Sequence, residues 1–284
     1  MKVAGTHEVE VCPEAWGQPW AIWPIGDIHW GAKGCDRERI DATIERIRCN
    51  PRSRWIGMGD YFDMITLKDN RIDPEALDGT LLDLDDLNSL ADTMVKVGIR
   101  AFGPIKEKCI GLLAGNHETK TTAGVSHAVR RLAEDLNVMY LGYCTLVDIL
   151  WRHAATGEEH RMRLGCHHGA GSARTKGGKV NRVEAFTYDF DADMLLYGHI
   201  HARFDDEVVE LGANADCTKL EEHRKIAVAT GTFLRTYHAD EKGASSYGER
   251  AQYRPTPLGA PCINIVPATG EVSITKGFGP IRWR

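Results

Sequence analysis

No stretch of the 284-residue chain approaches the roughly 18 consecutive apolar residues that span a bilayer, and the opening MKVAGTHEVEVCPEAW has no apolar signal core. A membrane span or export signal is therefore not expected, and the cytoplasm is the expected location. Cysteine is sparse. Eight residues stand at positions 12, 35, 49, 109, 144, 166, 217 and 262, no two of them at C-x-x-C spacing, which argues against a disulfide scaffold. Reduced thiols are expected, with Cys109 and Cys166 acting as small hydrophobes inside apolar runs. Positive charge is not in excess either: 35 Lys+Arg against 40 Asp+Glu leaves −5 with His neutral, which disfavours a general basic coat for nucleic acid. Repeats and low-complexity tracts are absent. What remains, 43% hydrophobic and 26% charged, is the composition of a globular chain with a core. Length alone suggests about two domains at roughly 150 residues each, but the pattern reads as a single domain over 1–284. Two composition shifts mark a candidate cap insertion at 64–90 and a lid-like segment at 231–259.

Short apolar runs predict strands at 21–26, 54–59, 110–114, 138–140, 145–151, 161–166, 194–197, 226–229 and 263–266. Helical spacing appears at 36–48, 84–102 and 126–136. Strand and helix alternate through the first two-thirds, which argues for α/β layers. The final third is richer in strands and points to a mixed or second sheet.

Five of the predicted strands run straight into residues that bind metals. Asp27 and His29 follow the first, and Gly59, Asp60 and Asp63 the second. Gly115, Asn116, His117 and Glu118 follow the third. His167, His168 and Gly169 close a later strand, and Gly198, His199 and His201 the last. Ligands of open α/β sheets bind beyond the carboxyl ends of strands, so these loops are expected to converge on one crevice. Carboxylate, amide and imidazole donors without thiolate suit Mn, Fe or Zn in a hydrolytic site. In extended backbone, Asp27 with His29, and His199 with His201, point pairwise to one side. Asp27, His29, Asp60, Asn116, one of His167 and His168, His199 and His201 supply seven ligands, more than one tetrahedral ion needs. Seven suits two ions sharing a bridging carboxylate. A single Asp after a strand is ordinarily a turn or cap residue and a lone His a satisfied one. Such readings would have to hold independently at five strand ends, where six of the twelve histidines lie.

Taken together, Asp27-x-His29, Gly59-Asp60-x-x-Asp63, Gly115-Asn116-His117-Glu118, His168-Gly169 and Gly198-His199-x-His201 resemble the motif set of the calcineurin-like metallophosphoesterase superfamily, in its order, over residues 27–201. The glycine-rich stretch after His168 and the tail Ser-Tyr-Gly…Pro-Thr-Pro-Leu-Gly are similar to phage and prophage members. The resemblance implies an α/β fold, a four-layer β-sandwich of two mixed sheets flanked by helices. It implies one metal on Asp27, His29, Asp60 and His201 and a second on Asp60, Asn116, His168 and His199, with Asp60 bridging and a hydroxide between the ions as nucleophile. The ions are expected to be divalent, Mn foremost, with Fe, Zn or Ni as alternatives. His168 is taken as the ligand because the family places it directly before Gly, with His167 behind it. His117, oriented by Asp63, is implied to contact the phosphate and assist the leaving oxygen.

The implied activity is hydrolysis of phosphate esters. A phosphodiesterase or nuclease acting on DNA, RNA or nucleotides is the leading reading, a phosphomonoesterase the alternative, and a non-catalytic scaffold the third. Two local features bear on substrate. Arg174, Lys176, Lys179 and Arg182 follow His168 before any acidic residue and suggest a phosphate clamp, although no P-loop spacing is present. Phe233, Tyr237, Tyr247 and Tyr253, with Arg235 and Arg254, suggest base stacking.

Overall fold

The computed structural model describes residues 6–11, 16–63, 90–119, 127–171, 173–237, 247–250 and 252–275. In chain order the elements are β1 (Thr6–Val11), β2 (Trp20–Ile25), α1 (Arg37–Cys49), β3 (Ser53–Gly57), α2 (Leu90–Phe102), β4 (Cys109–Leu113), α3 (Asn116–Thr119), α4 (Ala128–Leu136) and β5 (Tyr140–Gly142). They continue with β6 (Cys144–Arg152), β7 (Glu159–His167), α5 (Lys176–Phe186), β8 (Met194–Tyr197), β9 (Arg203–Ala213), β10 (Leu220–Thr230), α6 (Tyr247–Arg250), β11 (Cys262–Val266) and β12 (Glu271–Thr275).

The strands form two mixed six-stranded sheets, ordered β1-β6-β7-β8-β10-β9 and β12-β11-β2-β3-β4-β5. Each strand feeds two faces, and the central ones bury both. In β2, Trp20 and Ile22 enter a core shared with Val147, Leu164, Leu196 and Val228 of the other sheet. Ala21, Trp23 and Ile25 face the opposite way, into a cluster holding Ile40 and Ile44 of α1, Met94 and Phe102 of α2, and Leu132 of α4. On the far side of the other sheet, Leu195 and Tyr197 of β8 and Ala227 and Ala229 of β10 pack with Val183 and Phe186 of α5. Strands buried on both faces read as continuous apolar runs, the pattern of WAIWPI in β2. Pro24 is tolerated in this central strand because β11 pairs only with residues 20–22 and has ended before the missing N–H would be needed.

Three strands were not among the predicted ones: β1, β9 and β12 are edge strands, and RFDDEVVELGA in β9 carries acidic residues in place of an apolar run. The expected basic loop after His168 is partly helix. Helix α5 begins at Lys176 despite Gly177 and Gly178, because the Thr175 hydroxyl caps it by accepting the Gly178 N–H at 3.1 Å. Helix α4 closes at Leu136, the last residue of its core face, with Asn137 in the left-handed conformation that terminates helices. The candidate cap, 64–90, lies outside the described residues but for the backbone of Leu90, as do 238–246 and 251 of the lid-like segment. The described cysteines are free thiols, Cys166 buried and Cys109 partly so. Among the described residues no helix is long and apolar enough to cross a membrane.

Strands β2, β3 and β4 run parallel, and β7 runs parallel to β8. Their carboxyl ends carry the five motifs.

Candidate metal centre

Backbone conformation sets the site before any side chain does. Asp27, His29, Asp60, His199 and His201 have φ of 48°, 56°, 50°, 65° and 47°. This left-handed region costs a non-glycine residue on the order of 1–2 kcal/mol, and such strain persists where neighbours over-determine it. Cross-strand bonds supply that hold here: the N–H groups of Asp27, Ile28 and His29 donate to Gly59 O, Asp60 O and Asp60 O at 2.9, 2.9 and 3.1 Å. Asp27 and His29 thus share a donor group through left-handed turns rather than the extended alternation expected from their spacing, whereas His199 and His201, expected to share a site, fall in different groups.

The side chains converge as two groups of donors, with a third, His29–Asp63–His117, overlapping the first through His29. In the first, His201 Nε2 stands 3.2 Å from both His29 Nε2 and Asp27 Oδ1. In the second, Asp60, His168 and His199 bring their donor atoms within 4.8 Å of one another, with His168 Nε2 3.2 Å from Asp60 Oδ2. The rings of His168 and His199 are aimed from behind. His168 Nδ1 meets Met58 O at 2.7 Å and His199 Nε2 meets Gly171 O at 2.8 Å, leaving His168 Nε2 and His199 Nδ1 directed inward. Fixing the rear nitrogen of an imidazole is how metal-ligating histidines are oriented.

Two observations test whether cations fit these donors. Asp27 Oδ1 is fully buried and accepts no hydrogen bond, a costly state for a carboxylate oxygen unless a positive charge satisfies it. The Asn116 side-chain amide stands 3.3 Å from His168 Nε2, 2.6 Å from His199 Nδ1 and 3.3 Å from Asp60 Oδ2. Its NH2 can donate to these groups, and with the oxygen inward it would face either a cation or a protonated His168, whose imidazole, against the effect of burial, the Asp60 charge pushes up to about 9. Donor atoms about 3.2 Å apart match ligands held at roughly 2.0–2.2 Å from one ion. The described His and Asp groups are therefore able to hold metal ions.

His117 and Asp63 stand at the rim. His117 Nδ1 lies 2.8 Å from Asp63 Oδ1, and its backbone N–H donates to Asp60 Oδ1 at 2.8 Å. Burial works against protonation of His117, but the Asp63 hydrogen bond and the charges of Asp60 and Asp63 outweigh it and push the imidazole up to about 9. Burial, followed by the charges of His117 and His201, drives His29 well below its ordinary value. Burial also disfavours the Asp60 carboxylate, yet the adjacent His168 holds it well below the usual range.

One functional residue was quoted in a motif without a role. The buried Glu118 carboxylate accepts four backbone N–H groups: Tyr61 and Phe62 on Oε1 at 2.6 and 3.1 Å, Asp60 and Gly115 on Oε2 at 3.1 and 2.9 Å. It ties the loop after β3 to the loop after β4 and so places both Asp60 and Asn116. Burial and the charge of Asp60 push its acid up to about 7, with the Phe62 N–H pulling the other way. The sequence offered a signal only in hindsight, a carboxylate two residues past Asn116 in an apolar setting. Gly115 permits the same approach, since a Cβ there would fall inside the Asp60 carboxylate.

His167 lies behind the donors. Its Nδ1 accepts the Gly169 N–H at 2.6 Å while its ring stacks on Tyr197 with centroids 5.7 Å apart, supporting the loop whose Gly171 carbonyl holds His199. Among the residues suggested to clamp phosphate, Lys179 Nζ donates to His201 O at 3.3 Å, whereas Arg174 and Lys176 are exposed on the approach to α5. Arg182 donates to Ala170 O at 3.0 Å. Phe233 does not stack on a ligand: it is fully buried in the core, where its N–H holds Asp27 O at 2.9 Å. Tyr237 is 45% exposed and Tyr253 half-buried; the Tyr247 side chain lies outside the described residues.

No protein-family model matches the chain, and no curated protein matches it.

Proposed function

We propose that the protein is a metal-dependent phosphoesterase of the calcineurin-like type, with phosphodiesters as its substrates. The observation that carries this reading is the buried Asp27 Oδ1, unsatisfied beside His29 and His201, next to a second Asp60–His168–His199 group. Asp27, His29, Asp60 and His201 would hold one divalent ion and Asp60, Asn116, His168 and His199 the other, Mn being the expected metal. When bound, such a pair supplies Lewis-acid polarisation of phosphoryl oxygens and a water of lowered pKa.

The chain's own residues do the rest. Asp60 presents Oδ2 toward His168 while Oδ1 is anchored by the His117 N–H, so its carboxylate is held in a fixed orientation from which it would bridge the two ions. His117 carries a proton at neutral pH, is held by Asp63 at 2.8 Å, and has 17% of its side chain open to solvent. That places a charged N–H where it can meet a phosphate oxygen and deliver a proton to the departing alkoxide, a contribution typically about 10²–10⁴-fold.

The test pairs metal analysis with two chromogenic esters. Protein reconstituted with Mn²⁺ is expected to hold about two ions per chain and to hydrolyse bis-p-nitrophenyl phosphate faster than p-nitrophenyl phosphate. Asp60→Asn should lose both the stoichiometric metal and the activity, because a shared position needs a full carboxylate charge. Wild-type protein that retains no metal, or an Asp60→Asn variant that keeps two ions, refutes the proposal.

A further inference from the structure

Two arginines share one buried carboxylate, and a third stands two residues past His201. Buried Asp36 caps α1 and its Oδ2 receives Arg39 Nε at 3.1 Å and Arg235 Nη2 at 2.9 Å. Arg203 is half-buried, gives Nη1 to Leu258 O at 2.9 Å, and pairs with no carboxylate among the described residues. Leu258 adjoins Gly259, whose N–H donates to Thr232 O at 2.7 Å, so the Arg203 guanidinium lies against the segment that leads on to Arg235. Arg39 and Arg235 share one Asp36 oxygen, with Arg203 on the neighbouring strand end.

The group is tied to the metal-binding loops through the backbone. Arg203 follows His201 by two residues, a span of at most about 7 Å. Arg235 follows Phe233 by two, and the Phe233 N–H and Thr232 Oγ1 both donate to Asp27 O at 2.9 Å. Asp36 N in turn donates to Phe233 O at 2.8 Å. Two residues beyond Arg235, the Tyr237 ring is 45% exposed. Guanidinium forks recognise phosphate bidentately, and an exposed aromatic ring next to them is a platform for a base.

We infer that Arg203 and Arg235, the latter sharing Asp36 with Arg39, form a second phosphate site beside the cleft, and that the substrate is a single-stranded nucleic acid whose neighbouring phosphate and base rest there. This deepens the phosphoesterase reading and rests on it for the position of the scissile bond. A substrate with one phosphate cannot use the site, while a strand fills it and the cleft together.

Binding is measured without catalysis, by fluorescence anisotropy of fluorescein-labelled (dT)10 on the full chain in EDTA. Arg203→Ala with Arg235→Ala is expected to weaken binding at least tenfold and to flatten the log–log salt dependence by about 0.7, the value for one phosphate contact on a single strand. Arg203→Lys with Arg235→Lys should restore part of the affinity, since it returns charge without the fork. If the double alanine variant unfolds, Arg235→Ala alone serves, because Arg235 is exposed and Asp36 keeps Arg39; it should weaken binding at least threefold. Unchanged affinity and salt slope overturn the inference, as does inorganic tripolyphosphate that competes as well as the oligonucleotide. In the Mn²⁺-loaded enzyme, the alanine variants should raise KM for the oligonucleotide and leave bis-p-nitrophenyl phosphate within twofold. An equal fall on both substrates places the arginines in the cleft itself and overturns the second site. Wild-type protein that binds the strand through these arginines but hydrolyses neither substrate sinks the phosphoesterase reading alone.

Discussion

Replacing Glu118 by Gln removes one oxygen and almost no volume, so it isolates what the buried carboxylate contributes. Each oxygen accepts two backbone N–H groups. Whichever oxygen becomes NH2, two main-chain donors then face a donor. A buried donor left unsatisfied costs about 1–3 kcal/mol, so the substitution should remove about 2–6 kcal/mol. Glu118→Ala orphans four donors and opens a cavity, which is expected to cost more. Domain stabilities are typically about 5–15 kcal/mol, making the Gln variant marginal and the Ala variant a candidate for outright failure to fold. Urea denaturation followed by tryptophan fluorescence reads the loss. With an m-value near 3 kcal/mol/M, about the upper end for small proteins, the midpoint should fall by about 0.7–2 M. Because two of the donors belong to Asp60 and Gly115, the variant should also bind Mn²⁺ more weakly in an isothermal titration at low urea. A Gln variant within about 0.5 kcal/mol of wild type would show that the four hydrogen bonds are not satisfied by an ionised acceptor, and the account of how the two loops are joined would fall.

Three further outcomes follow from the geometry. His117 has its pKa raised to about 9, so the proton is held below that value and lost above it; kcat should decline as pH passes about 9, and His117→Ala should cost about 10²–10⁴-fold in kcat, remove that limb and still retain metal by elemental analysis. Gly115→Ala drives a methyl group into the Asp60 carboxylate and should abolish stoichiometric metal; a variant that still carries its full metal content would contradict the close approach. Lys108 Nζ donates to Ile47, Arg48 and Asn50 carbonyls at 2.6, 3.0 and 2.8 Å, closing the carboxyl end of α1. Lys108→Ala should cost about 1.5–3 kcal/mol, the range for hydrogen bonds to a charged group, in chemical denaturation with activity per folded molecule unchanged.

Much of the chemistry was written locally. The donor residues at the ends of β2, β3, β4, β7 and β8 could be picked out because a buried strand is an apolar run, and polar residues at its carboxyl end stand out against it. Helix α1 was equally plain, with an Asp36 cap and isoleucines at helical spacing. Edge strands were harder to read, since β9 owes its conformation to pairing with β10 across eleven residue pairs rather than to its own composition. Phe233 likewise looked available for stacking, and only packing against distant segments places it in the core.

Taken alone, then, the order of residues determined which donors the protein owns and at which strand ends they sit, because strand-forming runs and the turns after them are short-range features. Folding decided how those donors are divided, which ones share a neighbour, and what holds them there. His29 meets His201 across 172 positions and Glu118 grips the Asp60 loop across 58. Left-handed turns at five donors are stable only because bonds from other loops restrain them. The arginines on Asp36 belong to the same class: nothing within a few residues of Arg39 or Arg235 announces the other, and they meet on one carboxylate only when the segment after β10 packs against the start of α1.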